Sequence, residues 1–525
     1  MKTFVSLLLL FFLVQYSEAQ SRYQKLIDGI GYESFYDIAK TPDGYIMAGV
    51  TNSLGAGQKD MLAVRTNLLG DTIWSRTFGG FMHEEAFSVM VSSDGNFVLA
   101  GYTGSFSHFS NDSANIYVVK IDTAGNLLWA KSFGGPGQDV AKRIIETSNH
   151  HYLLAGYTNS IGAGCNDIYL MELDTDGNFI WSKSLGNTGC EFATDIVELS
   201  DHGFLIIGSS NSFTSGQIVF LLKTDSVGDF QWTKSYDFAG VTTKSSTANQ
   251  IIRGYVNDFL IVGRRGMGSI GDAQHYIMDV DSLGSLNWAK TYLMNSGNSE
   301  ASSIDKTTTG GFIVGGWMGN SIPALLNVDI LGQQNWSYVY NSPLATFYSG
   351  KGFKTITADD GEYITAGMRI DPGDTAAMLL KTDDDGEITC TYAPPFSGIV
   401  SNLTMTTLPQ AFTSSVVNLI AIDSCVAGVF GQNLMTYCFT IGADEISDET
   451  FRAVYPNPFH AFLYCDYPTY DPLELIIYDM TSRIIAREKF TGYLRLDTES
   501  FPSGLYVYEL RNKNGLIRCG RVVHD

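Results

Sequence analysis

Charged residues are scarce in this chain of 525 residues. They make up 17% of it, against roughly 25% in typical soluble domains, and this scarcity excludes a long coiled coil. Lys and Arg number only 33 against 55 Asp and Glu, which gives a net charge of −22. Because so acidic a protein repels phosphate backbones, we expect no nucleic-acid partner. No run of about eighteen apolar residues occurs, so we expect no transmembrane segment.

Proline is also sparse, with 13 residues, whereas Gly (54), Tyr (28) and Phe (31) are abundant. This composition is typical of short strands joined by tight turns. The first residues have the pattern of a secretory signal: Lys2, an apolar run over residues 4–14, and Ala19 before a cleavage site at Gln20. We therefore expect residues 1–19 to be removed on export through the periplasm, and the protein to reach the cell surface or the medium.

Two sequence markers recur seven times at intervals of about 53 residues. The first is D-x-x-G-x-x-x-W, as in Asp122 to Trp129, and its seventh copy has Cys390 in the Trp position. The second is a short apolar run ending in Gly, as in Tyr45 to Gly49. Each unit has room for four strands, here called a to d, and repeats of this length are typical of β-propeller blades.

The sequence therefore predicts an all-β fold, a seven-bladed β-propeller followed by a small Ig-like β-sandwich. The expected divisions are a signal peptide over 1–19, the propeller over 20–395, a Ser/Thr-rich extension with an acidic linker over 396–450, and a C-terminal domain over 451–525. A strand near Arg22 to Ile27 fits strand d of the last blade, so we expect it to close the ring. The a–b and c–d turns are short, whereas the longer b–c and d–a loops share the opposite face, where binding is expected.

Two sets of polar residues recur in the units. Acids precede strand a in four units, and we expect them to accept loop N–H bonds, with Ca²⁺ or sugar binding as the alternative; they are Glu33, Glu84, Asp139 and Glu191. A second set on the innermost strand is predicted to line the central channel as solvated side chains: Asp37, Ser88, Arg143, Asp195, Gln250, Ser303 and Thr355. Arg143 is the one cation in that set, and it is expected to pair with Asp37 or Asp195 or to capture a carboxylate ligand.

Cysteine and histidine give few further candidates. Cys165 and Cys190 fall in loops on the same face and are candidates for a disulfide, and Cys390 is a candidate to pair with Cys425 or Cys438. Because the chain has seven cysteines, an odd number, at least one has no partner within the chain. The histidines lack zinc-ligand spacing, and we expect no cofactor.

The last 75 residues carry an ordered set of motifs: Tyr455-Pro456-Asn457-Pro458 at the start, then a strand ending in Asp479, and later Gly504-Leu-Tyr506. This segment resembles the type A C-terminal sorting domain of proteins exported by the type IX secretion system of Bacteroidota, and the repeats resemble bacteroidete-type surface propellers. The resemblance implies a small Ig-like sandwich that is read by the type IX translocon.

No nucleophile elbow, zinc motif or phosphate loop is present in the sequence. D-x-x-G-x-x-x-W resembles the Trp-docking repeat of quinoprotein dehydrogenases and the Asp-box of sialidase-type propellers, which we interpret as use of the same turn. The expectation from the sequence is therefore a non-enzymatic binding or adhesion protein with a glycan or protein ligand. The alternative is a propeller enzyme, either a polysaccharide hydrolase or a quinoprotein-like oxidoreductase.

Overall fold

The structure is a computed structural model, and the described residues are all-β. It describes three regions: 22–388 except 29–30, 54, 56, 107–113, 214–215, 239–244, 267–272, 294–297, 319–321, 341–352 and 372–373; five strands between 399 and 438; and 454–524 except 456–461, 467–471, 480–482, 492 and 513–514. No helix occurs in these regions, and hence none that is long and apolar enough to cross a membrane.

An N-terminal strand, β1 (Tyr23–Asp28), precedes seven antiparallel sheets, the blades. Blade 1 has β2 (Glu33–Thr41), β3 (Gly44–Thr51), β4 (Asp60–Asn67) and β5 (Thr72–Phe78); blade 2 has β6 (Glu84–Val91), β7 (Phe97–Thr103), β8 (Asn115–Ile121) and β9 (Leu127–Phe133). Blade 3 has β10 (Asp139–Glu146), β11 (Tyr152–Thr158), β12 (Asp167–Leu173) and β13 (Phe179–Gly186); blade 4 has β14 (Glu191–Glu198), β15 (Phe204–Ser210), β16 (Ile218–Thr224) and β17 (Phe230–Phe238).

The remaining blades follow the same order. Blade 5 has β18 (Thr247–Arg253), β19 (Asp258–Arg265), β20 (Gln274–Asp281) and β21 (Leu286–Leu293); blade 6 has β22 (Ser299–Lys306), β23 (Phe312–Met318), β24 (Ile322–Val328) and β25 (Gln334–Val339). Blade 7 has β26 (Lys354–Thr357), β27 (Tyr363–Asp371) and β28 (Asp374–Thr382). The prediction of a propeller with seven blades is confirmed.

The tryptophan and glycine of the repeat pack against each other across blade boundaries. Gly125 in the c–d turn of blade 2 has a φ of 80°, and a Cβ there would lie 3.1 Å from the ring of Trp74 in blade 1. The same contact joins Gly177 to Trp129 at the next boundary. Asp122 shapes this turn because its Oδ1 accepts the N–H groups of residues 124 and 126. The marker therefore links each blade to its neighbour, and the apolar clusters likewise lie between blades.

The N-terminal strand closes the ring, as the sequence predicts. β1 pairs antiparallel with β28, so that Tyr23 lies opposite Lys381 and supplies strand d of blade 7. Tyr23 also replaces the Trp that the seventh repeat lacks, because its ring lies against Gly70 of blade 1 in the way that Trp74 lies against Gly125.

The segment after blade 7 adds a fifth strand to five blades. Its strands are β29 (Ile399–Asn402), β30 (Met405–Gln410), β31 (Thr413–Val416), β32 (Ala421–Ile422) and β33 (Met435–Cys438). They pair in turn with β21, β17, β13, β9 and β1, so the segment runs backwards around the ring from blade 5 to blade 2 and then to blade 7. Each pairing covers an outer sheet edge that would otherwise be exposed.

The C-terminal strands form two small sheets. The strands are β34 (Val454–Tyr455), β35 (Phe462–Asp466), β36 (Leu473–Asp479), β37 (Ile484–Phe490), β38 (Tyr493–Asp497), β39 (Gly504–Asn512) and β40 (Gly515–His524). One sheet has the order β34-β35-β38 and the other β37-β36-β39-β40, with Leu475, Ile477 and Leu510 in the core that they share. Tyr506 of the sorting motif is buried, and its hydroxyl donates to the carbonyl of Pro502. Pro456, Asn457 and Pro458 lie outside the described residues.

Candidate functional site

The innermost strand of each blade carries one polar residue at the same level of the central channel. In blade 1 a β-bulge between Phe35 and Asp37 sets this position, and Asp37 pairs with Ala48, the residue before the glycine of strand b. The same bulge recurs in blades 2 to 6. We call the residues at this position the channel ring.

One sequence assignment is corrected in blade 7. Lys354 is the residue that pairs with Ala366, directly before the strand-b glycine. The channel ring therefore contains Lys354 where the sequence comparison placed Thr355. Its members are Asp37, Ser88, Arg143, Asp195, Gln250, Ser303 and Lys354.

Most members of the channel ring join neighbouring blades by accepting a backbone N–H. The donor is in the next blade, where it is the backbone N–H of the residue directly after that blade's own ring residue. The five donors and acceptors, at 2.9–3.4 Å, are Val89 to Asp37, Ile144 to Ser88, Ile251 to Asp195, Ile304 to Gln250 and Thr355 to Ser303. The expectation that these residues are solvated channel lining is therefore wrong, since five of them are buried interblade links. A bulge aims each side chain at the next blade.

The two cations in the ring cannot accept an N–H, and an aspartate follows each of them. After Arg143, Asp195 accepts the N–H of its own neighbour, Ile196, at 2.9 Å. After Lys354, Asp37 accepts the N–H of Ile38 at 3.0 Å. All seven N–H groups of the ring are thereby satisfied.

Arg143 forms ion pairs with both aspartates. Its Nη1 lies 2.9 Å from Oδ2 of Asp37, and its Nε lies 3.2 Å from Oδ1 of Asp195. The two carboxylates are almost fully buried, whereas 27% of the Arg143 side chain remains exposed. Burial raises the pKa of Asp195, and the positive charge of Arg143 opposes this shift.

Three of the four acids before strand a, namely Glu84, Asp139 and Glu191, accept a loop N–H, as the sequence predicts. Glu84 accepts the hydroxyl of Thr103 at 2.7 Å and the N–H of Gly80 at 2.8 Å. Asp139 accepts the N–H of Gly135 in the same way. All four are buried and each accepts a Ser or Thr hydroxyl of strand b: Glu33, Glu84, Asp139 and Glu191. Among the described residues, no group of three or more His, Cys, Asp or Glu is placed to hold a metal.

A cavity of about 380 Å³ lies in the channel on the side of the a–b turns. Arg143 and Lys354 of the channel ring line it, together with Lys40, Asp305 and Gln250. This is the face with short turns, opposite to the face on which the sequence predicts binding.

An aromatic cluster that the sequence comparison missed occupies the other end of the channel, at the b–c and d–a loops. Its half-buried rings, here called the aromatic mouth, are Tyr36, Phe87, Tyr102, Tyr157 and Phe192. Ring centroids are 5.3 Å apart for Tyr36 and Phe87, and 5.9 Å apart for Phe87 and Tyr102. Tyr157 and Phe192 form an edge-to-face pair at 5.1 Å. Nζ of Lys142 lies 3.4 Å from the centre of the Phe87 ring.

Glu85 is the charged centre of the aromatic mouth. Its carboxylate accepts the Tyr36 hydroxyl at 3.2 Å and Nζ of Lys59 at 3.0 Å. Burial raises the pKa of Tyr36 and Tyr102, and the negative charge of Glu85 raises both further. Tyr36 and Phe87 are the extra residues of their bulges, and no sequence motif marks that position, although a strand-a comparison shifted by one residue would have found both.

A disulfide stands on the same face as the aromatic mouth. Cys165 and Cys190 are bonded, with Cα atoms 5.1 Å apart, which confirms this predicted pair. Cys390 and Cys425 lie outside the described residues, and Cys438 is described only as part of β33.

The comparison with known families identifies the C-terminal region. Residues 453–523 match the secretion system C-terminal sorting domain. The chain therefore carries a type IX sorting domain and is exported to the cell surface or secreted. Among curated proteins, the regulatory protein FlaEY of Caulobacter vibrioides is 23% identical over 218 residues, which cover 36% of this chain and 23% of that protein.

Solved propellers are similar to the chain at low identity. An α-L-arabinofuranosidase of Fusarium graminearum is 14% identical, with a TM-score of 0.37, over 56% of this chain and 91% of the enzyme. The NanB sialidase of Streptococcus pneumoniae is 10% identical, with a TM-score of 0.39, over 69% and 92%. The propeller domain of the trilobed protease of Pyrococcus furiosus is 12% identical, with a TM-score of 0.38, over 69% and 99%.

These comparisons correct the expectation that the protein is not an enzyme. That expectation rested on the absence of a local catalytic motif, yet two of the similar propellers are glycoside hydrolases. The absence of a local motif does not exclude a site, because residues from several blades can meet at the channel. Here Tyr36 and Glu85 belong to different blades, 49 positions apart, so no short motif contains both.

Proposed function

We propose that this exported propeller is a carbohydrate-active enzyme that binds a glycan at the aromatic mouth and hydrolyses a glycosidic bond there. The observation that carries the proposal is the Glu85 carboxylate, which accepts the Tyr36 hydroxyl at 3.2 Å among half-buried aromatic rings. A carboxylate that accepts a hydrogen bond from a hydroxyl can act as the base that activates this hydroxyl as a nucleophile. The surrounding aromatic rings form a surface on which a sugar can bind.

The chemistry of sugars favours such a surface. One face of a sugar ring presents C–H groups, which pack on aromatic faces, and its rim presents hydroxyls that need polar partners. Phe87 and Tyr102 stack with an interplanar angle of 29°, and together they form a platform. Glu85 and Lys59 supply an acceptor and a donor within the same cluster.

The Tyr36–Glu85 pair fits the reacting groups of a hydrolase. Tyrosine serves as the nucleophile in some glycosidases, and it needs a neighbouring base. Because burial and Glu85 raise the pKa of Tyr36, its hydroxyl is neutral near pH 7. As the phenolic oxygen bonds to the anomeric carbon and the glycosidic C–O bond breaks, Glu85 would take the Tyr36 proton and the departing oxygen would take a proton from solvent. Water would then attack the anomeric carbon and return a proton to Tyr36 as the bond between Tyr36 and the sugar breaks, and Glu85 would release its proton to solvent, so that the net reaction is hydrolysis.

The test is turnover of a polysaccharide panel by the purified mature protein, measured as released reducing ends. We expect Tyr36→Phe to retain glycan binding and to lower turnover by about 10²-fold or more. Phe87→Ala should weaken binding itself. The matched control is Glu146→Gln, since Glu146 lies at the a–b turns and binds Ser93. Binding without turnover on every polysaccharide, or full activity of Tyr36→Phe, would contradict the proposal.

A further inference from the structure

The cavity on the side of the a–b turns is lined by a cation that has no partner in the described part of the chain. Lys354 is half-buried and lines this cavity, and among the described residues it has neither an ion pair nor a hydrogen bond. Arg143, the other cation of the channel ring, has two carboxylate partners. Burying an ammonium group without a partner is unfavourable, so we expect Lys354 to have a role other than closing the ring.

Blade 7 places this lysine at the ring position. Lys354 pairs with Ala366 as Asp37 pairs with Ala48 in blade 1. The Lys354 side chain therefore occupies the place where the other blades, Arg143 apart, present an N–H acceptor. Asp37 of blade 1 supplies the missing acceptor, since its Oδ1 accepts the N–H of Ile38 at 3.0 Å. The N–H groups of the channel ring are therefore all bonded even though the Lys354 side chain accepts none of them.

We propose that this cavity binds a small carboxylate, whose oxygens bond to Nζ of Lys354 and to the guanidinium of Arg143. Both cations line the cavity, and 27% of the Arg143 side chain is exposed. A volume of about 380 Å³ suits a molecule the size of a hydroxy acid or a sugar acid. Charge-assisted hydrogen bonds to two cations give a carboxylate its strongest anchoring.

The acids around the cavity are already engaged. Asp37 and Asp195 bind Arg143 and backbone N–H groups. Asp305 accepts the N–H of Lys306 and that of Thr357, both at 2.8 Å. Lys40, at the outer end, binds Asp359. Lys354 therefore has capacity for an incoming anion.

The pKa of Lys354 supports this assignment. Burial lowers it, Arg143 lowers it further, and the opposing effects of Asp37, Asp195 and Asp305 do not compensate. A bound carboxylate stabilises the ammonium form and raises the pKa again. Binding therefore requires the protonated lysine, and affinity falls as the pH rises through a pKa that lies below the usual value for lysine.

Isothermal titration of the mature full-length protein tests the proposal, with D-glucuronate as the probe, D-glucose as its neutral counterpart and inorganic phosphate as the alternative anion. We expect glucuronate to bind, glucose and phosphate to bind at least about tenfold more weakly, and Lys354→Met to weaken glucuronate binding by about tenfold or more. Lys354→Arg should retain binding. Lys131→Met is the matched control, since Lys131 lies on an outer strand and binds Asn178.

Three results would overturn the proposal: equal binding of glucose, Lys354-dependent binding of phosphate as tight as that of glucuronate, or unchanged affinity in Lys354→Met. Melting curves of each variant show whether the ring remains folded, and Lys354→Arg keeps the test valid if Lys354→Met unfolds. Phe87→Ala, at the aromatic mouth, should leave glucuronate binding unchanged. Failure of the glycan proposal is therefore distinguishable from failure of this one.

Discussion

Removing a side chain of the channel ring that accepts backbone N–H groups should destabilise the propeller. The loss in the free energy of unfolding should grow with the number of N–H groups that the side chain accepts. Ser303→Ala removes one acceptor, that of the Thr355 N–H, which is 2.9 Å away and buried. An unsatisfied buried N–H costs about 1–3 kcal/mol, so this variant should lose that amount. Asp195→Ala orphans two N–H groups, those of Ile196 and Ile251, and should lose about 2–6 kcal/mol.

Urea unfolding of the mature protein, followed by tryptophan fluorescence, measures these free energies. Asp195→Asn retains one acceptor oxygen in a side chain of the same shape, so its loss should fall between those of the two alanine variants. Asp195→Ala also removes one ion pair of Arg143, which adds to its loss. Equal destabilisation by Ser303→Ala and Asp195→Ala, or no destabilisation by either, would refute the role of the ring in joining the blades.

Three further outcomes are expected. Deleting residues 453–523 should leave the protein periplasmic in cells with an intact type IX system, and cell fractionation would detect surface delivery that contradicts this. Replacing Cys165 and Cys190 by Ala should lower the free energy of unfolding by about 3 kcal/mol, because the bond closes a loop of 25 residues; an unchanged urea midpoint would argue against it. Burial lowers the pKa of His275 from 6.5 to about 4, so the unfolded chain binds the proton first and stability should fall between about pH 6.5 and 4, by about 3 kcal/mol. His275→Asn should lack this loss in urea unfolding at pH 7 and 4.

The repeat made much of the fold predictable, because its markers act between neighbouring units. Trp74 and Gly125 recur since each Trp packs on the next turn, and their spacing gives the number of blades. The closing strand β1 was predictable for the same reason, because its sequence matches a strand d. Glu84 was predictable as a loop support, since a buried carboxylate at a repeated position needs repeated N–H partners.

The candidate sites were less predictable because they lie where the repeat is broken. Lys354 was missed because Thr355 occupies the position after the ring residue, where the other blades have Val or Ile, so that a comparison based on Ile356 was displaced by one residue. Tyr36 and Glu85 meet across a blade boundary, so their contact depends on the curvature of the ring. The path of β29 to β33 was also missed, because strand pairing at an outer edge uses backbone groups that any sequence provides.

The closing strand has a consequence for how the chain folds. β1 precedes the seven blades in the chain, whereas its partner β28 is the last strand of blade 7, and its second partner, β33, follows later still. Contacts of such large sequence separation form slowly. A chain that emerges into the periplasm therefore carries blades 1 to 6 before β1 can pair with β28. Until that pairing forms, the apolar faces next to blade 7 remain exposed. We expect this interval to be the stage at which the protein is most exposed to proteolysis and aggregation.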